Sequence, residues 1–160
     1  MKVKATIWVS KSGMYFIPNK EDKLGESLIP VSFRGMKKND KGDYTFKRGV
    51  EKKTSKEGRD YFVMVNAYDE ANKKYIDGVK VVEITCTDSG FKFDNNGKPT
   101  PIKLTGLKNS KPTEKHKYGQ PYFVREVEVE EKDGRKSAIV LDEFGLEYAK
   151  SHQKEEGLSR

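Results

Sequence analysis

Ten basic side chains stand between residues 34 and 59: Arg34, Lys37, Lys38, Lys41, Lys47, Arg48, Lys52, Lys53, Lys56 and Arg59. Four acids oppose them, Asp40, Asp43, Glu51 and Glu57, which leaves a local balance of +6 against +7 for the whole chain. Phe33, Tyr44, Phe46 and Tyr61 are threaded through the same stretch. Cations attract phosphates, and aromatic faces stack on unpaired bases, so these residue types together suit a polyanion with exposed bases. Trp8, the only tryptophan, adds a further ring. Val3, Ala5, Ile7 and Val9 alternate with Lys4, Thr6 and Trp8, which puts the indole on the polar side of a strand, near Lys4. A base stacked there contributes about 1–3 kcal/mol. The competing expectation is that a later loop or helix covers the indole.

Catalytic chemistry has fewer carriers. A hydrolase triad needs a histidine, and His116 and His152 both read as solvated surface groups. Cys86 follows the apolar run VVEIT and reads as a small buried side chain. A lone cysteine also excludes an internal disulfide and a cysteine-based zinc site. No phosphate-binding glycine loop, dinucleotide motif or histidine–glutamate metal motif is present. Asp94-Asn95-Asn96-Gly97 superficially resembles a calcium loop but lacks the closing glutamate, so it is read as a hairpin turn. One enzymatic alternative stays open. Glu128, Glu130 and Lys132, with Glu83 or Asp77, have the acid–lysine composition of metal-dependent nuclease strands, where the acids hold Mg²⁺. The plainer reading of those charges is a solvated strand face. The expectation is a protein that binds, with no catalytic residue, no metal site and no cofactor.

The composition supports binding over chemistry. Hydrophobic residues make up 34% and charged residues 36%, which favours a thin core such as a small barrel over a thick α/β enzyme core. Residues 1–80 carry 18 basic and 11 acidic side chains, while residues 81–160 carry 14 of each, so all the excess charge lies in the first half. The N-terminal residues alternate rather than forming an apolar run, and no stretch is long enough to span a bilayer, so a cytosolic protein without a membrane partner is expected.

The elements that must position these residues read as short strands. Residues 3–9, 14–17, 28–34, 43–50, 61–68 and 79–86 follow strand patterns. Residues 61–68, YFVMVNAY, are apolar on both faces and are expected to be the most central strand. Residues 37–42 read as a polar turn, 51–60 as a charged loop and 69–74 as a short connection of about one helical turn. Asn95-Asn96-Gly97 marks one hairpin and Lys132-Asp133-Gly134-Arg135 another, with Pro99 and Pro101 confining the arm after the first to an edge. Residues 105–120 read as a mobile loop, and a closing helix is expected from residue 142. That helix opens with Asp142, Glu143 and Glu147 and would be repelled by phosphate, which leaves the sheet and its loops as the binding surface. The fold expected is all-β: an OB-fold-like small barrel over residues 1–150, with hairpin extensions, one C-terminal helix and a flexible tail at 151–160.

The segments GMYFIPN, VSFRGMKK and GRDYFVMVNAYDE, with basic loops between short aromatic strands, resemble small single-stranded-DNA-binding proteins of bacteriophages, especially phages of low-GC Gram-positive bacteria. The resemblance spans residues 1–130 and is one of pattern. It implies an OB-fold that coats single strands during replication or recombination, often as a dimer, with Trp8, Tyr44, Phe46 and Tyr61 stacking on bases. Cellular members of that group end in an acidic tail, whereas this chain ends EEGLSR. Arg34, Lys37, Lys38, Arg48, Lys52, Lys53 and Arg59 complete the expected site as phosphate contacts. Single-stranded DNA is the expected partner, with RNA, a homodimer and unnamed replication or recombination proteins left open. A phage protein that binds a host protein is a further alternative.

Overall fold

The computed structural model describes residues 1–115 and 117–144. The helix expected after residue 142 falls almost wholly outside those residues, as do His116, His152 and the tail at 151–160.

The chain begins with β1 (Lys2–Ser10), β2 (Gly13–Phe16) and β3 (Ile29–Ser32), each antiparallel to the one before. It then builds a second sheet from β4 (Lys37–Lys38), β5 (Tyr44–Thr54) and β6 (Asp60–Val65). A small separate hairpin follows, β7 (Tyr68–Asp69) with β8 (Lys74–Tyr75). The second sheet continues through β9 (Lys80–Thr87), β10 (Gly90–Asn95) and β11 (Lys98–Ile102). The chain returns as β12 (Lys108–Asn109), β13 (Pro121–Lys132) and β14 (Arg135–Val140).

The first sheet runs β1-β2-β3-β14-β13, and β13 pairs back onto β1, so five strands close into a barrel. Its one parallel pair is β14 on β3, with Ala138 opposite Val31. The fold is therefore all-β with a closed OB-fold-like barrel. Closure follows from alternation: Val3, Ala5, Ile7 and Val9 point inward from β1, and Phe123, Val127 and Val129 do so from β13.

The second sheet is inserted between the third and fourth barrel strands, in the order β11-β10-β9-β5-β4, with β6 also on β5. It too curls round. Lys103, just after β11, accepts a hydrogen bond from Met64 N (2.8 Å) and donates to Phe62 O (2.9 Å), joining β11's end to the far edge of β6. The two rings share one core. Phe33, Phe46, Phe91 and Phe123 come from both rings and pack with centroids 4.8–6.3 Å apart. Burying each phenyl contributes about 1.5–3 kcal/mol, and no plane separates one ring's core from the other's. Gly49 lies at a close strand contact: a Cβ there would lie 2.5 Å from Val79 Cγ1 and 3.0 Å from Val65.

Both expected hairpin turns are present, at Asn96-Gly97 and Asp133-Gly134, each with two consecutive positive φ values. Four local expectations are corrected. Residues 61–68 do not form a central strand: β6 stops at Val65 and sits on the flank of β5. Its second face is apolar because Phe62 packs on Phe93 where the sheet curls over. Residues 51–54 are strand rather than loop, paired with 60–63. Residues 69–74 make a tight hairpin instead of a helical turn, with Asp69 capping Ala71 and Asn72. The stretch 105–120 is not wholly irregular, since Lys108 and Asn109 pair with β13.

Candidate nucleic-acid interface

The strand register assembles a row of side chains across the outside of the barrel. Trp8 on β1 stands opposite Tyr15 on β2 and Tyr122 on β13. Tyr15 is followed by Pro30 on β3, and Tyr122 by Lys108 on β12. The row thus reads Pro30–Tyr15–Trp8–Tyr122–Lys108 across five strands. The three rings are half-buried, and Trp8 and Tyr122 lie 5.0 Å apart at a 40° tilt. With neighbouring strands about 4.8 Å apart, the three rings span about 10 Å. Each ring points away from the core because its neighbours in sequence, Ile7, Phe16 and Phe123 among them, point into it. Gln120 fixes one end of the row. Its amide nitrogen donates to Tyr15 Oη (2.8 Å) and to Val9 O (3.4 Å).

Lys108 borders this row at one end, and the segment that carries it is basic. Lys103, Lys108, Lys111, Lys115 and Lys117 are opposed only by Glu114, a balance of +4 between residues 103 and 117. None of the five lysines is ion-paired among the described residues. Tyr118 follows them and is 90% exposed. The loop is tied at its neck, where Ser110 N donates to Gln120 O (3.0 Å) and Gln120 N to Ser110 Oγ (2.9 Å). It borders an open cleft lined by Asn109, Lys117, Tyr118, Pro121 and the β9–β10 turn. The opposite turn, between β1 and β2, reaches the same end of the barrel, with Lys11 N donating to Asp88 (2.8 Å).

The residues expected from the sequence scatter. Trp8 stands in the row. Tyr44 is half-buried, its ring 3.3 Å from where a Cβ would stand on Gly13 (φ +105), with Lys38 Nζ 5.6 Å above it. Tyr61 is half-buried on β6, opposite Lys53, with Lys103 Nζ 5.1 Å from its ring centre. Lys37, Lys53 and Arg59 are exposed. Phe46 is 2% exposed and belongs to the core, so it offers no face to a base.

Three of the expected cations are held by acids from outside their stretch. Arg34 pairs with Glu70 and Lys52 with Asp60. Arg48 is mostly buried and held by one acid: its Nε donates to Glu143 Oε2 (2.6 Å), and Nη2 to Glu143 Oε1 (2.5 Å) and Arg34 O (2.7 Å). The guanidinium also lies over Phe33 and Phe46. Of the +6 read between residues 34 and 59, these three partners leave +3.

Tyr15, Tyr122, Tyr118 and Lys108 were not among the expected residues. The signal for two of them was available: Tyr15 lies between Met14 and Phe16, and Tyr122 between Pro121 and Phe123, so alternation puts each tyrosine on the face opposite its buried neighbours.

The acids of the nuclease alternative do not converge. Glu128 pairs with the N-terminal ammonium (3.1 Å), and Glu130 and Lys132 lie exposed where β13 and β14 extend beyond β1. Among the described residues no three His, Cys, Asp or Glu side chains are placed to share a cation. Cys86 is sealed in the core, and burial pushes its thiol up to about 12. Among the same residues no helix is long and apolar enough to cross a membrane. Comparison with protein-family models, with curated proteins and with solved structures gives no match.

Proposed function

We propose that this chain is a single-stranded-DNA-binding protein with little sequence preference. It holds unpaired bases on the outer face of its barrel and carries out no reaction. The observation that carries this reading is the row Tyr15–Trp8–Tyr122, which ends at Lys108 in a segment whose five lysines have no ion pair among the described residues. Every base has a π-face, so three adjacent rings accept any sequence, while lysines beside them contact phosphates as point charges. Paired bases in a duplex hide those faces, which gives the preference for single strands. A ring does not distinguish deoxyribose from ribose, so RNA competes unless a contact to the 2′-OH excludes it. The cytosol of a host cell, and a role in phage replication or recombination, are the setting in which such a coating activity belongs.

Trp8 makes the test direct, because the only tryptophan lies in the row. Titration with oligo-dT should quench its fluorescence, and salt should restore it with a log–log slope of about −0.7 per phosphate contact. Matched duplex should quench far less. Unchanged emission at low salt, with oligonucleotide shown to be bound by polarisation, would place the ligand elsewhere and refute the row as the site.

A further inference from the structure

We propose that the bound strand does not end at Lys108 but continues onto the inserted sheet, where Tyr61 on β6 forms a second stacking station between Lys53 and Lys103. This rests on the single-strand reading of the row and extends it to a two-part site.

Three observations carry the extension. First, Tyr61 is an outward-facing ring with a cation on either side: Lys53 is its direct cross-strand partner, and Lys103 Nζ stands 5.1 Å from its centre. Second, the chain itself joins this station to the row. Lys103, which touches Tyr61, and Lys108, which stands opposite Tyr122, are separated only by residues 104–107. Those residues form a turn closed by Leu107 N donating to Leu104 O (2.9 Å). A turn brings its ends within about 7 Å, and each flanking step adds about 3.8 Å, so the two lysine Cα atoms lie within about 15 Å. Third, the turn is held in place. Arg125 on β13 donates to Thr105 O and, from Nε, to Glu143 O (3.0 Å), with Leu104 buried beneath. A fixed connection keeps the two stations at a constant separation, which a single ligand spanning both requires.

The row, the turn and the second station together extend at most on the order of 35 Å. A strand covering that path has about five to ten nucleotides, depending on whether its bases are stretched or stacked at about 3.4 Å, within the ~4–16 typical of one oligonucleotide-binding barrel. The row alone would cover about three.

The experiment compares dT4, dT8 and dT12 on wild type, on Tyr61→Ala and on Lys53→Glu, a change on an exposed strand surface that leaves the core untouched. For wild type, affinity should rise at least tenfold from dT4 to dT12. Both variants should bind dT4 like wild type, with full Trp8 quenching, yet lose roughly 5- to 100-fold on dT12, the loss expected for one stacked base and its phosphate contacts. Variants that bind dT12 as tightly as wild type would end the path at Lys108 and overturn the extension while leaving the row intact. Absence of Trp8 quenching by every length on wild type would remove the row itself, and the extension with it.

Discussion

Replacing Glu143 by glutamine should separate architecture from binding at the residue where the two are most easily confused. Arg48 lies in the most basic stretch of the sequence, but its side chain is 14% exposed and that of Glu143 11%. The pair is bidentate, at 2.5 and 2.6 Å. Two unit charges about 4 Å apart at an effective dielectric near 20 interact by about 4 kcal/mol. Removing one partner of such a pair typically costs about 3–5 kcal/mol, because the other is left buried and uncompensated. Glutamine keeps one oxygen for Arg48 but turns an NH₂ toward it, and partial solvent access reduces the cost. The expected loss is about 3 kcal/mol, a fall of about 1.5 M in the urea midpoint at a slope near 2 kcal/mol/M. Trp8 fluorescence and circular dichroism should report it together. Arg48→Met with Glu143→Leu should recover most of the loss, since an apolar pair of similar volume removes the buried charge. Neither change should alter the salt dependence of oligonucleotide binding measured below the unfolding transition. A midpoint shift under about 0.3 M, or a shallower salt slope for Arg48→Met, would mean that Arg48 faces the ligand and that the ion pair is incidental.

Gly49→Ala should cost about 1–3 kcal/mol by overpacking, read as a lower urea midpoint, because the new methyl lies 2.5 Å from Val79 Cγ1 and 3.0 Å from Val65. Cys86 should resist maleimide at pH 8 in the native protein and react at once in 6 M guanidinium, since burial pushes its thiol up to about 12; rapid native labelling would contradict the shared core. Asp60 is held below the ordinary carboxylate range by the Thr54 hydroxyl first and Lys52 second. A depressed folded value means that any stability it contributes is present above about pH 4 and is lost as pH falls through that value. An NMR titration of the Asp60 carboxyl should therefore show a midpoint below 3.8, and one at or above it would break the Thr54–Asp60–Lys52 contact. Tyr122→Ala should weaken oligo-dT binding about 5- to 100-fold, whereas Tyr44→Ala should change it less than twofold, as measured by polarisation.

The barrel was legible because its strands are half-buried. Alternation in residues 3–9 gives both the strand and the face on which Trp8 stands, and the Asn-Gly and Asp-Gly turns fix two hairpins by backbone stereochemistry alone. The second sheet was harder to read. Residues 61–68 read as the centre of a sheet because both faces are apolar, yet the cause is curvature, which sets Phe62 on Phe93 and joins the far edge of β6 to Lys103. Curvature leaves no signature in period or composition. The site was legible only in part. Trp8 follows from alternation, and the same rule places Tyr15 and Tyr122 on the outer face, but both lie outside the stretch where charge is densest.

That charge misled for a physical reason. Local charge is countable in sequence, but free charge depends on contacts between residues far apart along the chain. Arg34 and Glu70 are separated by 36 positions and Arg48 and Glu143 by 95, and each contact removes a cation from the surface that the count assigned to it. The lysines at residues 103–117 lie in a half of the chain that is neutral overall, yet none is ion-paired among the described residues. Pairing β12 with β13 sets Lys108 beside Tyr122, and closing the second ring through Lys103 sets another cation on Tyr61. Two features therefore set the charge of the surface: acids from outside the most basic stretch hold three of its cations, and the short segment by which the chain returns from the inserted sheet sets Lys108 beside the aromatic row. A binding surface organised in this way should be sensitive to the return segment. Lys103→Glu and Lys108→Glu together should reduce the salt slope by about 1.4 at two phosphate contacts. Lys37→Glu with Lys38→Glu, an equal change in net charge within the most basic stretch, should leave the slope within experimental error. Equal effects from the two pairs would show that only the total charge of the molecule matters, and the argument from location would fail.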